Sequence, residues 1–251
     1  MGPSMIGSIL ENFGSRPNAA RALHNYRALA LKYDITCERI EALRRRAVDE
    51  LALRSGEIVF DIACGTGTTL PLLADRVAPT GGVIGVELSP DMAALARQRV
   101  GAAGLGASVK VIETAVEALR YGLPADAMLF CYTHDVLQSP AAIERLIESA
   151  RPGARIALLG MKTLPWIWGW PANVFNLYRA RRYLTTYGNL DRPWRLLEER
   201  GAVLREVHSA LWGSAYIAVG TLPGRHPWRA HKTRTPLLPT PLPADSRKAQ
   251  P

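Results

Sequence analysis

Four groups of residues in this chain have the types and spacing to do chemistry. Asp61-Ile62-Ala63-Cys64-Gly65-Thr66-Gly67 sets an acid four positions ahead of a Gly-x-Gly turn. Glycines there let the chain turn sharply and let a ligand approach the backbone with no Cβ in the way. Glu87 follows about 20 residues later, where an acid closing a second strand can hold both hydroxyls of a ribose. Thr133-His134-Asp135 offers an imidazole, whose ordinary titration near pH 6.5 suits proton removal at neutral pH. Trp166, Trp168 and Trp170 put half of the chain's six tryptophans within five residues. A nicotinamide dinucleotide would need a third glycine three positions after Gly67, where Leu70 stands.

The elements that must position these groups follow from apolar patterning. Ile58 to Ala63 has the β-branched and aromatic content of a buried strand, and Thr69 to Val77 is helix-like. Val83-Ile84-Gly85-Val86 is the next strand, closed by Glu87. Ser89-Pro90 and Ser139-Pro140 each read as an N-cap followed by proline at the first helical position. Between them lie a third strand, 108–112, and a fourth, 125–132; a fifth, 155–160, follows Pro152-Gly153. Residues 203–209 and 214–220 read as a final antiparallel pair. Ahead of the first strand, residues 18–31 have helical spacing, and Asp34 is placed to cap a second helix running to about Leu53, with Arg44-Arg45-Arg46 expected on its solvated face.

The spacing D-x-x-x-G-x-G from Asp61, with Glu87-Leu88-Ser89-x-x-Met92 behind it, resembles the class I S-adenosylmethionine-dependent methyltransferases. The likeness covers about Ala28 to Gly220. Beyond the cofactor half it is one of layout, and it leans toward the group holding quinone C-methyltransferases and phosphatidylethanolamine N-methyltransferases. It implies an α/β, doubly wound, seven-stranded, mostly parallel sheet of the Rossmann-like methyltransferase fold with an N-terminal helical cover. The expected organisation is a lid over residues 1–53, a cofactor-binding core over 54–221 and a Pro-rich basic tail over 222–251. The implied cofactor is S-adenosylmethionine, leaving as S-adenosylhomocysteine, with contacts from Tyr33, Asp61, Ala63, Gly65, Gly67, Glu87, Leu88, Met92, Thr114, Ala115 and Cys131. Family members often place an aspartate at the end of the third strand; this chain has Glu113 and Thr114, so the adenine contact is assigned to the Thr114-Ala115 corner. Tyr33 reads equally as a lid residue or as a core aromatic at a helix junction.

Methyl transfer is a direct displacement, in which alignment matters most and a base matters only if the nucleophile must lose a proton. His134 is the candidate base or substrate contact, with Asp135 able to orient it; the other reading has Asp135 capping the next turn, Gln138 completing the box, and His134 packing. Tyr26, His134, Trp166, Trp170 and Tyr178 are the expected acceptor-binding set. Their aromatic density points to an apolar or ring-bearing acceptor, natural-product or quinone-like, methylated on N, O or C. Core packing and peripheral contact with membrane lipid remain the other readings of the tryptophan segment.

Composition excludes several classes. At 251 residues with 48% hydrophobic and 21% charged side chains, the chain suits one soluble core. No secretory leader is expected, and residues 1–4 read as an expression scar ahead of Met5. Three scattered cysteines match neither a zinc spacing nor a disulfide framework, so a reducing cytoplasm and packing thiols are expected. The net charge is +9, but residues 222–251 hold six Lys/Arg against one acid, leaving the body only mildly basic. Nucleic acid is not an expected partner, since no N/D-P-P-Y/F motif follows the fourth strand. No metal is expected either, since Asp135 has no neighbouring carboxylate there. The remaining alternatives are a phospholipid N-methyltransferase at a membrane surface, an RNA methyltransferase and a silent binding protein on the same fold. Monomer and homodimer are both allowed.

Overall fold

The computed structural model describes residues 16–25, 27 and 40–223. Helix α1 covers residues 19–25 and α2 covers Glu41–Glu50. An alternating core follows: β1 (Ile58–Ile62), α3 (Leu70–Val77), β2 (Gly82–Glu87), α4 (Pro90–Ala102), β3 (Val109–Glu113) and β4 (Ala125–Cys131). The chain continues through α5 (His134–Leu137), α6 (Pro140–Glu148), β5 (Ala150–Met161), α7 (Trp166–Ala180), α8 (Arg195–Glu199), β6 (Val203–Ala210) and β7 (Ala215–Thr221). One seven-stranded sheet results, in the order β3-β2-β1-β4-β5-β7-β6. Strands β1 to β5 pair in parallel, whereas β7 runs antiparallel to both β5 and β6. The expected mostly parallel, doubly wound sheet is therefore present.

The inner strands read as continuous apolar runs because helices cover both faces. Phe60, Ile62, Val86, Met128 and Phe130 face one way, onto Ile143 and Leu146 of α6. Val59, Val83, Ala127 and Leu129 face the other, onto Leu70 and Leu73 of α3, Ala96 of α4, and Ala47 and Val48 of α2. Helix α2, expected within the cover, thus packs into the core. It begins at Glu41; residues 34–39, where the cap was expected, lie outside the described residues. Both Ser-Pro helix starts form as read: Ser89 Oγ accepts from Met92 N–H at 3.4 Å and Ser139 Oγ from Ala142 N–H at 3.3 Å.

Strand β5 is twice the expected length, starting at Ala150. Strand β7 lies inside the sheet and β6 at its edge. Helix α7 buries only the stripe Gly169, Asn173, Leu177 and Ala180. A Cβ on Gly169 would sit 2.3 Å from Leu164 Cβ, so only glycine permits this approach. Asn173 closes the contact, accepting from Leu164 N–H at 2.8 Å and donating to the Leu164 carbonyl at 2.9 Å. Among the described residues no helix is long and apolar enough to cross a membrane.

Candidate active site

The carboxyl ends of β1, β2, β3 and β4 open on one cavity of about 720 Å³. Parallel strands order this edge by chain direction alone, and the switch in strand order beside β1 leaves a crevice there. Ala63, Gly65, Glu87, Leu88, Met92, Thr114, Ala115, Cys131 and His134 all line it. The backbone at the strand ends is held in the left-handed region, with φ of 50° at Ala63, 58° at Gly65 and 57° at Tyr132. Such conformations cost side-chain-bearing residues about 1 kcal/mol or more and concentrate at ligand sites.

Glu87 is buried, and its carboxylate accepts Gly65 N–H and Ser89 N–H, each at 2.8 Å. Burial pushes its pKa up, while those donors pull it down. Two ionised oxygens offer about four acceptor positions, so capacity remains for a pair of ligand hydroxyls.

A small second cavity adjoins the first, sharing Ala63, Gly65 and Cys131 with it and reaching Arg44, Asp61 and Thr69. Asp61 is 1% exposed. Burial pushes its carboxyl up to about 7, against the Thr69 hydroxyl that donates to it and the Arg44 charge. Arg44 corrects the solvated-face reading of Arg44-Arg45-Arg46: its neighbours are exposed, but Arg44 is buried, with Glu41 at 3.9 Å. The helical turn points that one residue of the run at the sheet. Gly67 lines neither cavity. Its φ is 75°, and a Cβ would lie 2.8 Å from Leu70 Cδ1 and 3.0 Å from Ala96 Cβ, so its work is close packing of α3 and α4. Burial raises the pKa values of the Cys64 and Cys131 thiols, which suits packing groups.

His134 opens α5 and is 5% exposed, yet among the described residues neither ring nitrogen has a hydrogen-bond partner; nor has the buried hydroxyl of Thr133 beside it. Burial lowers the imidazole to about 4; the Gly188 backbone nearby pulls the other way without reaching hydrogen-bond geometry. Unpaired buried polar atoms are rare in folded proteins, and a cavity-lining cluster of them is a place for ligand polar groups.

Neither role read for Asp135 is realised. Its carboxylate accepts Thr185 N–H at 3.0 Å and Thr185 Oγ1–H at 2.6 Å, so it neither orients His134 nor caps α5. Gln138 likewise accepts from Asn189 Nδ2 at 2.7 Å and donates to the Pro193 carbonyl at 2.9 Å. Asp135 of α5 and Gln138, which caps its C-terminus, therefore strap down the segment 183–190, whose Tyr183, Leu184, Thr186, Gly188 and Asn189 line the cavity. Asn18 N–H donates to Thr185 Oγ1 at 2.9 Å, joining the start of α1 to the same strap. A substrate lid was expected from the segment after the fifth strand, which includes 183–187, but none of these lining residues was in the expected acceptor set. Their only sequence signal is a Thr-Thr pair between tyrosines, and pairing over 50 residues leaves no local trace.

The expected acceptor set is dispersed. Trp166, Trp170 and Tyr178 are not among the lining residues; Trp166 and Trp170 are 49% and 59% exposed. The physical reason is the narrow and short inner stripe of α7, Gly169, Asn173, Leu177 and Ala180: Trp168 falls on the opposite side of the helix, Trp170 at the edge of the stripe, and Trp166 shares the stripe's direction but stands at the helix's first residue, where it stays half exposed. Tyr178 packs by Tyr187 and Leu177, under Arg181, whose guanidinium is 4.0 Å from its ring centroid. Tyr26 and Tyr33 lie outside the described residues. No cluster of potential metal ligands occurs among the described residues.

The strand order, the crevice at the β1–β2 carboxyl ends and the buried Glu87 define a doubly wound α/β fold with a cavity at the carboxyl edge of its sheet. Residues 59–153 match the family model described as a methyltransferase domain. It is similar to the ubiquinone/menaquinone biosynthesis C-methyltransferase UbiE of Pseudomonas putida, 27% identical over 151 residues, 56% of this chain and 58% of that one. The UbiE of Citrobacter koseri is 25% identical over 146 residues, 54% of this chain and 57% of that one. The chain thus spans less than two thirds of the length of these curated relatives. Its fold is shared with a SAM-dependent methyltransferase from Aquifex aeolicus (TM-score 0.55, 21% identity, 71% of this chain and 89% of that one). It is also shared with the S-adenosylmethionine-dependent methyltransferase SibL (TM-score 0.60, 19% identity, 87% of this chain and 68% of that one).

Proposed function

We propose that the protein transfers a methyl group from S-adenosylmethionine to a small apolar or aromatic acceptor held in the same cavity. The observation that carries this reading is the pairing of Glu87, with spare acceptor capacity, and the unpartnered His134 and Thr133 in one 720 Å³ space. That volume falls within the roughly 300–1,000 Å³ typical of small-molecule sites. S-adenosylmethionine, when bound, supplies an electrophilic methyl group on a sulfonium.

The chain's own part is positioning. Glu87 holds the ribose hydroxyls, and Thr114-Ala115 at the end of β3 borders the adenine. The small cavity beside Asp61 and Arg44 has room for about one water, so a charged amino-acid end would lie at its mouth, over Ala63 and Gly65, with Asp61 and Arg44 acting from behind the loop. His134, uncharged at neutral pH, takes a hydrogen bond from an O–H or N–H of the acceptor and turns the nucleophile's lone pair toward the methyl group. With its pKa near 4 it is a weak base, so it acts by orientation more than by proton removal. The α5 strap closes the cavity over these groups and limits water.

Calorimetric titration tests the reading. S-adenosylmethionine and S-adenosylhomocysteine should bind saturably and NAD should not; Glu87→Ala should abolish binding. His134→Gln should retain cofactor affinity while lowering turnover with aromatic, quinone or amine acceptors. At saturating cofactor, the native and His134→Gln chains should share the same pH dependence near pH 6.5, since His134 stays uncharged there. Absence of sulfur-cofactor binding by the native chain would sink the proposal.

A further inference from the structure

Helix α7 and the turn between β6 and β7 expose apolar side chains that neither the core nor the cavity uses. Ile167 is 96% exposed and Trp212 is 94% exposed; Trp168, Trp170, Phe175 and Leu211 are each about 60% exposed. The two elements adjoin, since a Cβ on Gly213 would lie 3.1 Å from Leu164 Cδ2 just ahead of α7. Leu211 and Trp212 both have positive φ, 50° and 60°, a costly pair of left-handed conformations for side-chain-bearing residues. Monomeric soluble proteins rarely leave contiguous apolar surface of this kind uncovered.

We propose that this face docks on an anionic phospholipid bilayer, with α7 lying in the plane of the interface and Trp212 as a second anchor. Three observations select lipid. Ile167 and Trp212 stand almost fully exposed, as side chains that insert among lipids would. Its residue types are those of an interface, since indole pairs an apolar ring with an N–H and settles between hydrocarbon and water. Its charge is one-sided: from Ser149 to Leu190 there is no Asp or Glu, while Arg179, Arg181 and Arg182 close the C-terminal end of the helix. Arg179 and Arg181 sit over Phe175 and Tyr178 at 5.7 Å and 4.0 Å, so their cations lie at the margin of the apolar face, at the level of lipid phosphates. An interfacial helix of this composition buries its apolar face about 5–10 Å deep. The inference stands independently of methyl transfer.

The test is co-sedimentation of the full chain with vesicles of phosphatidylcholine alone and of phosphatidylcholine with phosphatidylglycerol. Binding to the mixed vesicles, a blue shift of indole emission and weakening by added salt are expected. Ile167→Ser combined with Trp212→Ser should lower vesicle affinity about tenfold or more. Both positions are almost fully exposed, so the thermal midpoint and cofactor binding should not move; Ile167→Glu alone is a second variant with the same expectation. Failure to bind either vesicle overturns the proposal. So does undiminished binding by the double variant, which would assign the contact to another part of the chain. Concentration-dependent self-association that these substitutions abolish would make the face an interface between two copies, and also overturns it.

Discussion

Asp61→Asn should stabilise the protein at neutral and alkaline pH, against the usual expectation for removing a buried carboxylate beside an arginine. Burial raises Asp61 from an ordinary 3.8 to about 7. A group whose folded pKa is raised binds its proton more tightly in the native state. Its stabilising contribution is complete below about pH 4 and is lost as pH rises through about 7. The rise from 3.8 to about 7 corresponds to roughly 4 kcal/mol, an upper bound on the ionised group's cost. The amide keeps the shape, and its oxygen can still accept from the Thr69 hydroxyl. Urea unfolding of native and variant chains at pH 4, 6 and 8, without cofactor, follows this group; Asp135, also raised by burial, cancels in the difference, and Glu87 cancels apart from its repulsion of Asp61, which is part of what raises Asp61. The difference should be near zero at pH 4 and grow in the variant's favour to at most about 4 kcal/mol at pH 8. A variant less stable than the native chain at pH 8 would show that pairing with Arg44 outweighs burial and would refute the reasoning. The cofactor proposal adds a cost: the stabilised variant should bind S-adenosylmethionine more weakly, as a site that holds charge for function would.

Two further substitutions probe the packing around the cavity. Gly67→Ala places a methyl 2.8 Å from Leu70 Cδ1 and 3.0 Å from Ala96 at a left-handed φ; a loss of about 2–3 kcal/mol is expected in chemical denaturation, and a change under 0.5 kcal/mol would mean that α3 and α4 can separate freely. Thr185→Val removes the 2.6 Å donor to Asp135 and the acceptor for Asn18 N–H; about 1–3 kcal/mol should be lost and acceptor turnover should fall, whereas unchanged stability would show that the strap is not held by this contact.

Much of the fold was legible locally. The apolar runs at 58–62, 83–86 and 125–131, the two Ser-Pro caps and the Gly65–Gly67 turn are short-range signals, since strand periodicity, capping and positive φ depend on a few neighbouring residues. The acid at Glu87 was legible for the same reason: a parallel sheet sends the ends of consecutive strands to one edge. The family resemblance then connected that edge to its cofactor.

What the sequence could not decide was which side of each helix would be used. The Arg44-Arg45-Arg46 run looks uniformly solvated, yet the docking of α2 turns one arginine inward, toward Asp61. The tryptophan cluster reads as a pocket lining, yet Gly169 and Asn173 supply the tight contact to Leu164 and leave the indoles outside. Asp135 and Gln138 look like local caps, yet they bind a segment some 50 residues away. In each case the local pattern is compatible with several orientations, and the choice among them rests on long-range packing. The chain order alone determined the sheet, the cofactor edge and the helix starts; the tertiary structure decided which side chains face the cavity, because cavity walls are assembled from residues that are close only after folding.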